Sequence, residues 1–233
     1  MATQRSKRYQ QAAALVDPTK EYPLAEAAGV IKNFPGTKFN QTVTLAVRLG
    51  VDPRKSDQMV RGTCPLPHGS GKDVRVVVFA QGDAAAAAKE AGADEVGFTD
   101  LIDKVKGGFM DFDVAVATPD AMSEVRKLGR QLGPRGLMPN PKTGTVTDDT
   151  AAAVKAVKAG RVDFKLDRSG NVALAIGKVS FEPAQIEENA TAAIDAIVRA
   201  KPASARGRYL QSVHLAASMS PSVKIDASPF MTA

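Results

Sequence analysis

The sequence predicts a two-domain α/β chain: a discontinuous α+β domain built from both chain ends, and a parallel α/β domain inserted between them. Three observations predict it. Apolar runs in the middle of the chain are continuous, as in strands buried on both faces, and they alternate with helical patterns. Apolar residues toward both ends alternate with polar ones, as in strands with one wet face. Charge divides along the same lines: residues 1–67 hold 10 Lys/Arg against 5 Asp/Glu, residues 68–158 hold 12 against 13, and residues 159–233 hold 9 against 7.

The first strand is carried by Val43, Leu45, Val47, Leu49 and Val51, which alternate with Thr42, Thr44, Ala46, Arg48 and Gly50. No other clear strand precedes residue 67, and one strand is too few for an independent sheet. Residues 1–67 are therefore expected to fold with 159–233, the chain crossing near Cys64-Pro65-Leu66-Pro67 and again near Ala159-Gly160. Between them VRVVVFA (74–80) reads as a buried strand and 83–91 as an alanine-rich helix. A short DEV segment follows, then an amphipathic helix around Leu101, Ile102 and Val105, and a second buried strand, DVAVA (113–117). Thr118-Pro119-Asp120 opens a further helix, with proline at its start. QLGPRGLMPNPKTGTV (131–146) carries three prolines and three glycines, too dense to continue a helix or a central strand, and is expected to form a shaped loop. This alternation of strand and helix makes 68–158 a small Rossmann-like domain with helices on both faces. Beyond it, VDFKL and NVALAIG flank Asp167-Arg168-Ser169-Gly170, a turn expected to close a hairpin. Ile186, Ala190, Ile194, Ile197 and Val198 mark one face of a helix. Val213, Leu215 and Ala217 mark a last half-buried strand, which Val223 and Ile225 are expected to continue beyond Pro221.

The chemistry of catalysis is sparse. The single Cys64, read as a small half-buried residue, excludes an internal disulfide framework and a cysteine-cluster metal site, and fits a reducing cytosol. The first ten residues have charge without an apolar run behind it, unlike a secretory signal, and no stretch approaches the ~20 apolar residues of a membrane span. His68 and His214 stand alone, one read as decorating a linker and the other the wet face of a strand; neither has metal-ligand spacing. Asp111 and Asp113 read as solvated turn residues. Gly136–Thr143 misses the phosphate-loop pattern because Pro141 stands where the second glycine must be, and Gly69-Ser70-Gly71-Lys72 ends in Asp73 rather than Ser or Thr. No enzyme, cofactor, metal or small-molecule substrate is expected. A net charge of +6 points instead toward polyanions. From Val125 to Thr147 there are five cations (Arg126, Lys127, Arg130, Arg135, Lys142) and no acid. A helix dipole accounts for the first three, whereas a surface for phosphates accounts for all five.

LGPRGLMPNPKTGTV resembles, nearly letter for letter, the signature of the "L-one" family of large-ribosomal-subunit proteins. KFNQTVTLAVRLG (38–50), DPRKSDQMVRGT (52–63) and GFMDFDVAVATPD (108–120) agree with it. The resemblance implies a cytoplasmic, ribosome-bound protein whose end-built domain binds large-subunit rRNA and whose stalk lies beside the tRNA exit site. It also implies a role in releasing deacylated tRNA and repression of the protein's own messenger RNA. The family's rRNA face maps onto Lys38, Phe39 and Thr42, onto Lys165, Arg168, Ser169 and Gly170, and onto Ser218, Met219 and Ser220; Arg130, Arg135 and Lys142 are expected to face tRNA. The family usually has Thr-Met-Gly where this chain has Ser218-Met219-Ser220, which puts at issue whether position 220 needs a positive φ. Two other classes fit the composition: a nucleotide-dependent enzyme using the inserted domain, and a general basic RNA chaperone. The incomplete phosphate loop weighs against the first, and the compact, non-repetitive sequence against the second.

Overall fold

A computed structural model describes residues 5–231. In chain order the helices α1 (Lys7–Ala13) and α2 (Leu24–Lys32) precede strands β1 (Thr42–Leu49) and β2 (Arg61–Pro65). The middle holds β3 (Val76–Phe79), α3 (Gly82–Glu90), β4 (Glu95–Gly97), α4 (Thr99–Lys106) and β5 (Val114–Ala117), then α5 (Met122–Val125), α6 (Gly129–Arg135) and α7 (Thr150–Lys158). The chain ends with β6 (Arg161–Lys165), β7 (Asn171–Lys178), α8 (Pro183–Arg199), β8 (Leu210–Ala217) and β9 (Ser222–Ile225). It divides into two compact units, one built from the residues up to Gly71 with those from Val162 onward, the other Lys72–Arg161.

In the end-built unit β1 lies between β7 and β8, both antiparallel to it, and β9 extends the sheet in the order β7-β1-β8-β9. Alternation decides which face is covered: Val43, Leu45, Val47, Val172, Leu174, Ile176, Val213 and Leu215 all point into one core, against α2 and α8. Within α8 the buried positions Ile186, Ala190, Ile194 and Ile197 fall on one face, and Val198 is half-buried. The helix is started by a capping box in which Glu182 and Gln185 exchange side-chain-to-backbone bonds, with Pro183 in the first turn. Asn189, fully buried among these apolar side chains, accepts from the His68 N–H and donates to the carbonyls of Gly69 and Ile176. Those bonds keep the turn 68–71 with the end-built unit.

Two expectations for these strands are corrected. Residues 161–178 do not form a hairpin: β6 pairs with β2 in a separate two-stranded sheet, while β7 pairs with β1. The turn itself is sharp, because the Asp167 carboxylate accepts from the N–H groups of Ser169 and Asn171. Before the turn, however, Leu166 donates to Val60 across the small sheet, and after it the apolar face of β7 enters the main core. Val223 and Ile225 do not extend β8 either; they fold back on it as β9.

The inserted unit has a parallel sheet in the order β4-β3-β5, with Val146 adding a parallel bridge to Ala117. β3 is buried along its whole length, because separate apolar clusters cover its two faces. One holds Leu101, Ile102, Val105, Val125, Leu128 and Leu132, and the other Ala88, Ala153, Val154 and Val157. The helix expected from Thr118 starts later, at Met122, after a turn in which Met122 donates to the Thr118 carbonyl at 3.1 Å. The loop expected from Gln131 is helical up to Arg135. Pro134 has no N–H to donate, but it falls in the last turn, where little helix remains to be broken. Gly136, at φ 73°, then ends the helix, and the Leu137 N–H reaches back to Leu132. Cys64, expected half-buried, is 1% exposed, and burial pushes its thiol pKa up. Among the described residues no helix is long and apolar enough to cross a membrane, and no group of His, Cys, Asp or Glu is arranged to hold a metal.

Candidate nucleic-acid interface

Because β1 and β8 are antiparallel, the beginning of one meets the end of the other, and this brings Thr42 to Ser218. Ser218 donates its N–H to the Thr42 carbonyl at 3.0 Å, and the Thr42 N–H is returned to Ser218 Oγ at 3.2 Å. Lys178 Nζ donates to Thr42 Oγ1 at 2.8 Å, and the buried Gln41 amide donates to the Ser218 carbonyl at 2.6 Å. The turn beyond β8 projects Met219, 70% exposed and the only non-glycine described residue with positive φ, at 59°. Its carbonyl accepts from Arg8 Nη2 at 2.7 Å. Phe39, 49% exposed just before β1, is not a core plug; Thr37 Oγ1 holds its carbonyl at 2.7 Å. Lys38 is exposed, and among the described residues it makes no ion pair. This end of the sheet thus offers two bare apolar side chains, cations and several hydroxyls on a fixed frame. Such a surface suits ribose edges and unstacked bases rather than a duplex groove.

Lys165, Arg168, Ser169 and Gly170 do not join it. Leu49 donates to the Gly170 carbonyl at 2.9 Å, so this second group sits at the far end of β1. The length of an eight-residue strand, roughly 25 Å, separates the two groups. Gly170, at φ 82°, closes the turn where other residues would be strained. Lys165, Arg168 and Ser169 are all exposed on it.

In the inserted unit Arg126, Lys127, Arg130 and Arg135 ride the helical stretch from Met122 to Arg135, which includes a 3-10 turn at Arg126–Leu128. Lys127 is held by Glu124 at 2.7 Å, whereas Arg126, Arg130 and Arg135 are exposed and, among the described residues, without an ion pair. Beyond Gly136, Leu137 and Met138 pack on the unit's core, and Thr143 and Thr145 close a small hydrogen-bonded knot around Asn140. The side chain of Lys142 lies outside the described residues.

The profile of the ribosomal protein L1p/L10e family matches residues 31–221. The chain belongs to this family. It is 54% identical over 222 residues to the large ribosomal subunit protein uL1 of Thermobifida fusca, covering 95% of this chain and 94% of that one. The protein of the same name from Cutibacterium acnes is 55% identical over 222 residues, 95% and 96% of the two chains. That of Alkalilimnicola ehrlichii is 54% identical over 227 residues, 97% and 98%.

In this ribosomal L1 chain the serine at position 220 has a structural answer. The positive φ of the turn belongs to Met219, not to Ser220, so no glycine is required at 220. Ser220 Oγ instead accepts from the Ala217 N–H at 3.0 Å and lies 2.9 Å from the Ala217 carbonyl, tightening the turn under Met219. Sequence reading passed over Arg8, Gln41 and Lys178, which hold the turn and the start of β1. Nothing local marks Arg8, which is 211 positions from the residue it holds. Lys178 was signalled only by register, since it lies opposite Thr42 on β7.

Proposed function

We propose that this chain is a structural, RNA-binding protein of the large ribosomal subunit, working in the cytoplasm, with the Thr42–Met219 end of its main sheet as its primary seat on large-subunit rRNA. The observation that carries this is the coincidence of the L1 family match with an exposed Met219, held in a left-handed conformation beside Thr42, Ser218 and Phe39. Apolar side chains on a pre-set turn lose little entropy on contact, and the neighbouring cations supply a sequence-independent attraction to phosphates. Within the ribosome the protein forms the mobile stalk beside the tRNA exit site and assists release of deacylated tRNA. The same face represses translation by binding a similar fold in the protein's own messenger RNA.

A nucleotide-dependent enzyme gains little support from the inserted unit. At the carboxyl ends of its strands, where open parallel sheets bind nucleotides, the hollow is lined by Asp120 and Asp148, which repel phosphate. The test is a salt titration of binding to a large-subunit rRNA fragment, with an unrelated structured RNA as control. Selective binding, with the preference for the cognate fragment surviving as salt rises, is expected. Equal affinity for both RNAs at every salt concentration would reduce the protein to a basic chaperone.

A further inference from the structure

The chain has seven methionines, and their surroundings differ sharply. Met110, Met122 and Met138 are half-buried against the core of the inserted unit. Met59 and Met231 are 44% and 37% exposed, whereas Met219 is 70% exposed. Met1 lies outside the described residues. We propose that Met219 is a site of reversible oxidation, at which peroxide converts the thioether to a sulfoxide and so switches off rRNA binding by the free protein. The inference rests on the reading that the Thr42–Met219 end of the main sheet is the seat for large-subunit rRNA.

The turn keeps this side chain from retreating into the core. Arg8 Nη2 donates to the Met219 carbonyl at 2.7 Å. The next residue, Ser220, donates its N–H to the Ala217 carbonyl at 3.1 Å and accepts the Ala217 N–H on Oγ at 3.0 Å. On the other side Ser218 is tied to Thr42 through both its N–H and its hydroxyl. Met219, at φ 59°, is thus set between two tethered neighbours, and turning it inward requires these bonds to break. A thioether held in this way stays open to a small oxidant, whereas half-buried methionines are shielded by the side chains packed on them.

The step is a two-electron oxidation. A sulfur lone pair attacks one oxygen of hydrogen peroxide, the O–O bond breaks, and the departing hydroxide takes the proton left on the transferred oxygen, giving sulfoxide and water. Methionine sulfoxide reductases reverse it: the oxygen leaves as water while two thiols are oxidised to a disulfide. The product changes the seat, because a flexible apolar side chain becomes a polar one with a strong acceptor oxygen. Phosphates and most groups of the RNA backbone are acceptors too, and burying a sulfoxide against them without a donor is unfavourable. RNA already in the seat covers the thioether, so the free chain is the form that peroxide reaches.

The test uses the full chain, hydrogen peroxide, the large-subunit rRNA fragment and an unrelated structured RNA. After a limited dose of peroxide, mass spectrometry of tryptic peptides is expected to show Met219 oxidised several-fold faster than Met59 or Met231. With the rRNA fragment bound, oxidation of Met219 is expected to slow about tenfold. The oxidised protein is expected to bind the fragment about tenfold more weakly with an unchanged thermal midpoint, and a mixture of the two reductases, one for each sulfoxide epimer, to restore the affinity. Met59→Leu/Met231→Leu is expected to lose affinity to peroxide as the wild type does, whereas Met219→Leu is expected to have the same affinity before and after treatment. Met219→Gln, with an amide in place of the sulfoxide, is expected to bind as weakly as the oxidised wild type. Oxidation no faster at Met219 than at Met59 or Met231 would overturn the site. Oxidation of Met219 without loss of affinity, or a loss that persists in Met219→Leu, would overturn the switch while leaving the rRNA reading intact, provided the untreated protein still prefers the fragment. Equal affinity of the untreated protein for both RNAs would overturn the rRNA reading and the switch with it.

Discussion

Met219 is held where few side chains rest. A left-handed backbone costs an L-residue about 1–2 kcal/mol, and here Arg8 on its carbonyl and Ser220 under its turn keep it there. A strained, 70% exposed methionine contributes nothing evident to the core, and the proposed function gives it a ligand to touch. Met219→Ala is therefore expected to leave thermal stability within about 0.5 kcal/mol of wild type, because the position is exposed and the strain persists with alanine. Affinity for the cognate rRNA is expected to fall several-fold more than affinity for random RNA; equal losses on the two would show that the side chain does not read the fold. The residues of this site came from the family resemblance rather than from residue types, and Ser218, Met219, Ser220, Thr42 and Phe39 do gather at one end of the sheet or just before it. The strain was not legible. A positive φ at 219 arises from the hydrogen bonds that close the turn, one of which comes from Arg8 near the other end of the chain.

At the scale of elements, periodicity told strands from helices but not which strands pair. VDFKL and NVALAIG both alternate and are joined by a turn-forming Asp-Arg-Ser-Gly, so a local hairpin satisfied every short-range rule. The partners chosen, β2 for β6 and β1 for β7, place Phe164, Val172, Leu174 and Ile176 in one core through contacts that no window of sequence contains. Buried parallel strands were easier, because continuous runs such as VVVF need no wet face. Those strands are anchored by carboxylates. Asp94 accepts from the Val76 N–H at 2.8 Å, and Asp113 binds Lys72 at 2.6 Å and the Arg75 N–H at 3.2 Å. The backbone bond from Val76 holds the Asp94 pKa below the ordinary carboxylate value, and the bond from Lys72 does the same for Asp113. A folded-state pKa below the unfolded one stabilises the fold at pH above the ordinary carboxylate value, and that contribution is lost as pH falls through the lower, folded value. The inserted unit is thus expected to lose stability below about pH 4, where unfolded carboxylates begin to take up protons. In an Asp94→Asn/Asp113→Asn variant this acid-dependent loss should shrink, with lower stability at neutral pH; chemical denaturation followed across pH 2–7 measures both. An unchanged acid limb in the variant would assign the loss to other groups.

At the scale of the whole molecule, the basic excess and the candidate rRNA seats fall in one unit, and the inserted unit, near neutral in sum, gathers five of its cations in one acid-free stretch, 125–147. Joining the chain from Gly71 to Val162 through a short flexible linker should therefore give a protein that keeps most of the rRNA affinity, as long as circular dichroism shows it folded. Loss of most binding in that folded protein would move the seat to the inserted unit. The contact proposed for the inserted unit is a weaker, releasable one, and the stretch around Arg130, Arg135 and Lys142 suits it. The structure makes most of this stretch helix and knot rather than loose loop: Arg130 and Arg135 project from α6, Gly136 stops the helix, and Leu137 and Met138 fix the following chain to the core. The scaffold and contact roles thus fall on different residues, the prolines, threonines and apolar side chains building the shape and the exposed cations facing outward. Cations on a stiff support lose less entropy when they meet a phosphate backbone, while a few isolated contacts leave the complex weak enough to part quickly. Arg130→Gln/Arg135→Gln/Lys142→Gln is expected to leave rRNA affinity and the thermal midpoint nearly unchanged, because Arg130 and Arg135 make no ion pair among the described residues. In ribosomes carrying the variant, exit-site tRNA occupancy or its release rate is expected to shift by several-fold, read by single-turnover release of labelled deacylated tRNA. Release at the wild-type rate from otherwise normal ribosomes would leave the stretch as scaffold alone and strip the inserted unit of its proposed partner.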